Sequence, residues 1–349
     1  MSGGIAQLVA IGQQDAHLVG SPEISFFRST YKRYTNFSQS VERQVIQGNV
    51  TANGMSSVRI ERKGDLLSYV YLQPVKLDGT QADATITDWT TVIEKVELLV
   101  GGQVVDTQDS TFTSLIAPKV FAQNLSKSRL GGLYEGGTAS GFYPLRFFFC
   151  ESWQNALPLV ALSYHDVELR ITWGASAASY KWECYSNFAY VDTQEREFFA
   201  SAPQQIIIHQ VQKALASDSK VQELNFNHPV KCLTSANVST LNILTATNKL
   251  KLQINGTDVA DYKWAHPNFS TVTSYYHTTH ADADTPQGLF LYPFCLDVSK
   301  AQPTGSLNFS RLDSARIVND TSTCTDPIYA INYNILKLEN GMGGLLYSN

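Results

Sequence analysis

Two stretches, one in each half of the chain, carry the same local pattern. Val96-Glu97-Leu98-Leu99-Val100 runs into Gly101-Gly102 and resumes as Gln103-Val104-Val105. Leu250-Lys251-Leu252-Gln253-Ile254 runs into Asn255-Gly256 and resumes as Thr257-Asp258-Val259. Apolar positions 96, 98 and 100 correspond to 250, 252 and 254, and Gly102 corresponds to Gly256. Alternation with period two predicts a half-buried strand, and Gly-Gly or Asn-Gly predicts a tight hairpin turn. The repetition therefore predicts two similar β domains in tandem. Such a duplication points to structural or binding work more than to catalysis.

The rest of the chain fits that frame. Its 349 residues suffice for two domains of ordinary size, each with a core. In the first half, strands are predicted around Val58 and Ile60, over Leu67–Leu72, at Phe147–Phe149, within Leu159–Trp173 and over Trp182–Asp192. Val167, Leu169 and Ile171 share one face of the fourth of these. A short helix is expected within Ser114–Asn124 and another over Thr193–Ala200, with Ser201-Ala202-Pro203 as linker. The second half opens on a strand at Gln205–Ile208 and repeats the order through Leu289–Tyr292, Leu307–Phe309 and Tyr329–Leu336. Tyr329 answers Tyr180 at the start of the last strand. Each half has room for about eight strands, the number in a jelly roll. Long loops are expected at residues 126–141, rich in glycine, and at 278–287. Residues 1–24 read as an arm in which Ile5, Leu8, Val9 and Ile11 can line a short apolar helical face, the alternative being a strand or coil docked on the first domain. The resulting division is an arm at 1–24, a first β domain at 25–203 and a second at 204–349.

Composition narrows the function. Lys and Arg number 26 against 31 Asp and Glu, a net charge of −5, which argues against binding nucleic acid through a basic face. Charged residues are 16% of the chain, so fewer charges than usual keep its surface apart from neighbours. One local exception is Arg28, Lys32 and Arg33 among Phe26, Phe27, Tyr31 and Tyr34. That mixture suits phosphates or acidic partners, and equally a solvated turn whose aromatics pack in a core. The five cysteines are widely spaced, without metal-ligand or CxxC spacing, and are expected to be reduced and mostly buried. The first residues lack the basic start and continuous apolar core of a secretory signal, so the eight N-x-Ser/Thr sequons are not expected to meet the glycosylation machinery.

Four blocks, in order along the whole chain, resemble the major capsid proteins of nucleocytoplasmic large DNA viruses. They are Gly3–Ala10 continuing through Gly20–Arg28 to Tyr31–Phe37; Leu157-Pro158-Leu159-Val160-Ala161-Leu162-Ser163-Tyr164-His165-Asp166-Val167; Leu224–Lys231; and Asn308–Asp313 with Tyr329–Asn334 and the ending Gly341–Asn349. The resemblance implies an all-β double jelly roll, two tandem eight-stranded antiparallel sandwiches with short helices in the loops. It implies homotrimeric, pseudo-hexagonal capsomers that tile an icosahedral shell beside neighbouring capsomers, minor capsid and penton proteins, without catalysis or cofactor. It makes Arg28, Lys32 and Arg33 candidates for an inner-face contact with minor capsid proteins or an internal membrane, and implies a protein assembled inside the host cell and resident in the virion. Two departures stand out. The chain is shorter than usual members, which implies shorter loops and a low outer surface. After Lys231 it reads Cys232-Leu233-Thr234-Ser235, less apolar than the family's usual strand, which leaves that strand's register open.

Jelly rolls also serve as lectins and hydrolases, so the alternative is a glycan-binding or glycan-cleaving sandwich. Its chemistry is hard to find in the sequence. Gly341-Met342-Gly343-Gly344 precedes no helix that would present an N-terminus to phosphate. His165 and Asp166 are adjacent strand residues and point to opposite faces, and His228-Pro229 reads as a turn. His277, His280, Asp282 and Asp284 hold ligand types but fall in an expected loop without a rigid shell.

Overall fold

The computed structural model describes residues 3–82, 86, 88–121, 127, 141–237, 241–279 and 288–348. Residues up to Asn36 form one unit and residues from Phe37 onward another. In the first, short helices at Gly3–Val9 and Asp15–Val19 bury none of their residues, so Ile5, Leu8 and Val9 are helical but exposed.

The second unit is built of antiparallel strands. We number the principal ones β1 (Phe37–Gln44), β2 (Met55–Arg59), β3 (Leu66–Val75), β4 (Ile93–Val100), β5 (Gln103–Asp109), β6 (Tyr143–Pro144), β7 (Val167–Trp173), β8 (Lys181–Val191), β9 (Gln204–Ala214), β10 (Val221–Glu223), β11 (Pro229–Ala236), β12 (Lys249–Ile254), β13 (Thr257–Asp258), β14 (Leu289–Pro293), β15 (Ala315–Asn319), β16 (Ile328–Glu339) and β17 (Met342–Leu345). The first sandwich has sheets in the order β1-β8-β3-β6 and β2-β7-β4-β5, the latter extended beyond β2 by the two-residue strand Ile46–Gln47. The second has β9-β16-β11-β14 and β10-β15-β12-β13, each the first order with every label raised by eight. The molecule is a double jelly roll.

The two hairpins occupy the same place in the two sandwiches, β4–β5 and β12–β13. Gly101 and Gly102 have φ of 59° and 81°; Asn255 and Gly256 have φ of 49° and 79°. Positive φ at both central residues is what a type I′ hairpin turn requires, and glycine and asparagine enter that region at least cost. Val96, Leu98 and Val100 are buried, as are Leu250 and Leu252, with Ile254 half-buried.

Several sequence expectations change in detail. Phe147–Phe149 is not a strand: Phe148–Glu151 is a short helix. All three rings are buried, so the run has no polar face whose period would tell helix from strand. The strand position is filled instead by β6 and by Leu157–Pro158, both paired with β3. Leu159–Trp173 splits into a 3-10 turn at Leu159–Ala161 and β7, where Val167, Leu169 and Ile171 are buried together. The helix after β8 runs Thr193–Ser201, and the Asp192 carboxylate accepts from the Thr193 amide at 2.7 Å. Helical structure covers Phe112–Val120, beginning two residues before the expected 114–124, whose last three positions lie outside the described residues. The expected loops at 126–141 and 278–287 fall largely outside the described residues.

The cores are not independent. One cluster fills the first sandwich, including Leu98, Phe147, Leu169 and Trp173, and also takes in Ile208 of β9 and Leu336 and Leu338 of β16. A second fills the second sandwich around Leu233, Leu250, Phe290 and Ile317. A third joins the two: Phe112, Ile116 and Val120 pack on Cys232, Leu291, Tyr329 and Ile331. The open register after Lys231 has its explanation here. β11 is buried on both faces, Leu233 in the second core and Cys232 in the joining cluster, and a bulge lies between Val230 and Cys232. A strand covered on both sides has no reason to alternate.

Candidate assembly surfaces

Arg28, Lys32 and Arg33 all lie on irregular, exposed backbone before β1. Phe26, Phe27 and Tyr31 beside them are exposed too, Phe27 by 97%. The aromatics are therefore not packed into a core. The segment offers cationic and apolar groups together, without the rigid walls of a catalytic cleft.

The outer face of the β1-β8-β3-β6 sheet carries a second feature, one that sequence reasoning missed. Tyr69 and Tyr71 alternate with buried Val70 and Leu72 on β3. Tyr71 stacks on Tyr185 of β8 at 5.3 Å, with Phe142 edge-on at 5.7 Å, and Tyr69 meets Trp153 at 6.0 Å. The Tyr185 hydroxyl donates to Glu183, which pairs with Arg43 at 3.1 Å. The result is an aromatic strip on a sheet face, Trp153 being 62% exposed. The available signal was tyrosine at every second position beside an apolar alternation. On the second sandwich the helix Thr273–His277 presents Tyr275 and Tyr276, edge-on at 4.9 Å and largely exposed, with exposed Leu296.

The residues weighed for chemistry are engaged separately. His165 Nδ1 lies 2.9 Å from the Gly343 carbonyl, whereas Asp166 pairs with Arg59 at 2.6 Å and Arg62 at 3.3 Å. Both precede β7, on irregular backbone rather than in a strand, and they form no dyad. His228 sits in a turn with φ of 65°, its amide donating to Ser310 Oγ. His277 Nδ1 contacts the carbonyls of Cys295 and Leu296 at 3.0 and 3.1 Å, and positions 280–287 lie outside the described residues. Among the described residues no cluster of His, Cys, Asp and Glu could hold a metal ion. Cys184, Cys232, Cys295 and Cys324 are buried and Cys150 partly so. Burial pushes the Cys150 and Cys184 thiols up to about 12, so neither is a thiolate nucleophile at neutral pH.

The seam between the sandwiches holds several buried polar groups. Asp106 and Gln108 of β5 pair across the hairpin with Leu98 and Val96, so they share the core-facing side. Asp106 Oδ1 accepts from the Val211 amide of β9 at 2.9 Å, and Gln210 Nε2 donates to the Val105 carbonyl at 2.5 Å. Asp109 Oδ2 accepts from Lys213 Nζ at 2.7 Å and from the Tyr329 hydroxyl at 2.6 Å. The ending returns to the first sandwich: Tyr164 N donates to Gly341 O and Leu345 N to Gln103 Oε1. A Cβ on Gly343 would stand 2.7 Å from Leu162 and 2.9 Å from Leu338, so glycine permits that close approach.

A fold of two matched jelly rolls with exposed aromatic surfaces has relatives among viral proteins. Residues 25–205 match the family model described as major capsid protein N-terminus, and residues 195–344 match that of the large eukaryotic DNA virus major capsid protein. The chain belongs to this capsid family. The major capsid protein of Paramecium bursaria Chlorella virus 1 is 31% identical over 442 aligned positions, covering 100% of both chains. That of Pyramimonas orientalis virus is 32% identical over 402 positions, again covering both completely. Both alignments are longer than the 349 residues here, so these relatives carry insertions. Among solved structures, the PBCV-1 virus capsid superposes with a TM-score of 0.75 at 25% identity, covering 93% of this chain and 100% of that one. The Faustovirus major capsid protein, at 12% identity and a TM-score of 0.63, shares the fold. These relatives are structural proteins of the virion rather than enzymes.

Proposed function

We propose that the chain is a homotrimeric tile of an icosahedral shell. The observation that carries this is the repeated strand order of its two sandwiches. A cyclic, heterologous contact closes three copies into a ring, and three copies of two equivalent sandwiches give a six-sided outline. Many weak contacts between such tiles then sum to a stable shell. Tyr275, Tyr276, Leu296 and the strip from Trp153 to Tyr185 supply apolar surface for neighbouring chains.

In this reading the chain divides into an arm, a first sandwich ending near Pro203 and a second thereafter. Arg28, Lys32 and Arg33 face inward, toward minor capsid proteins or an internal membrane. Neighbouring capsomers and penton proteins are the other partners, and nucleic acid is not one. Assembly takes place inside the host cell. The insertions of the relatives fall in outer loops, so the outer surface here is low. Electron micrographs of the purified protein test the proposal: trimeric particles with hexagonal outlines support it, and isolated single-chain particles that bind glycans overturn it.

A further inference from the structure

The seam contains one carboxylate that the capsid reading leaves unexplained. Among the described residues, buried Asp106 takes only uncharged donors: the amides of Thr107 and Val211 on Oδ1 at 2.9 Å each, and Gln108 Nε2 on Oδ2 at 2.8 Å. The charged groups around it are committed elsewhere. On its own strand Asp109 is held by Lys213 of β9 and Tyr329 of β16. Arg146, whose carbonyl accepts from Gln108 Nε2 at 2.9 Å, is paired with Glu151 at 3.2 Å. His209 and Lys231, on β9 and β11, sit together behind the seam with the Tyr333 and Phe121 rings between them.

The arrangement is poised between two protonation states. The three donors suit an ionised carboxylate, whereas burial without a cation suits a neutral acid. A proton on Oδ2 needs an acceptor. Gln108 supplies one by turning its amide, which withdraws its donor from the Arg146 carbonyl. Each state therefore has its own hydrogen-bond pattern across the joint between the sandwiches.

We propose that Asp106 is a proton-operated latch between the two jelly rolls, tighter when protonated and looser when ionised. Burial, opposed by the donors from Val211, Gln108 and Thr107, pushes its carboxyl up to about 7. The folded chain thus keeps this proton where the unfolded chain, near the ordinary 3.8, has lost it. The penalty of burying the charge is absent below that ordinary value, grows as pH rises from there, and is complete above about 7. A shell built of such chains carries a joint inside each subunit that loosens toward the alkaline side of neutrality.

Two measurements on the full-length protein test this between pH 5.5 and 8.5. The first is hydrogen exchange at the Val211 amide, corrected for intrinsic pH dependence. Its protection is expected to fall by up to about tenfold per pH unit below 7 and to level off above. The second compares thermal unfolding with Asp106→Asn, which keeps the shape and removes the charge. The midpoint of the native protein is expected to fall relative to the variant by about 2–3 °C from pH 5.5 to 7.5. Val211 protection that is flat with pH overturns the latch, as does a folded variant with the native pH profile. If the variant does not fold, the Val211 exchange decides alone.

Discussion

The corresponding sheets of the two sandwiches have one topology and opposite surroundings. In β1-β8-β3-β6 the strands alternate, one face in the core and the other carrying Tyr69, Tyr71 and Tyr185 outward. In β9-β16-β11-β14 the alternation disappears: β11 is buried from Val230 to Ala236 and β16 from Ile328 to Asn334. The backbone repeat explains the strand order, and position in the tandem explains the side chains. The first sheet ends at the surface of the chain. The second is an inner wall, backed on one side by its own core and on the other by the first sandwich.

Phe290 and Tyr71 probe the contrast most strongly. Phe290 on β14 is fully buried, and Phe290→Ala is expected to cost about 3–5 kcal/mol in denaturant unfolding. Tyr71 on the outward face is partly exposed, and Tyr71→Ala is expected to cost about 1 kcal/mol in the isolated chain while weakening association more. Equal losses in the isolated chain would erase the distinction between wall and surface.

Leu336 comes next, because it belongs by sequence to the second sandwich and by packing to the first core. Leu336→Ala is expected to cost about 3 kcal/mol and to lower amide protection in β4 and β7 as well as in β16. Loss of protection confined to the second sandwich would show that the cores are separate after all. The smallest effect lies where the halves are most alike. A Cβ on Gly102 or on Gly256 meets nothing within 4 Å, and both residues have φ near 80°. Gly102→Ala and Gly256→Ala are each expected to cost about 1 kcal/mol through backbone strain alone. Clearly unequal costs would mean that the two turns are not equivalent.

What the sequence made legible follows the same division. The hairpins, β7, β8 and the capped helix after Asp192 are written in local pattern, because one face meets the core and the other is more open. Phe147–Phe149 and Cys232–Ser235 were obscured because burial on every side removes the polar marks of periodicity. Asp106 and Gln108 stood at core-facing hairpin positions, visible in principle as polar residues out of place. Their partners, Val211 and the Arg146 carbonyl, lie far along the chain, so only the fold brings them together. The basic group at Arg28, Lys32 and Arg33 was visible as composition, but its exposure beside unpacked aromatics was not.

Whether three copies of the chain close into one particle is read from the mass of the purified protein in solution. Light scattering at micromolar concentration is expected to give three times the 38.6 kDa chain mass, persisting on dilution. A species that stays at the mass of one chain at every concentration would rule out a self-assembling tile.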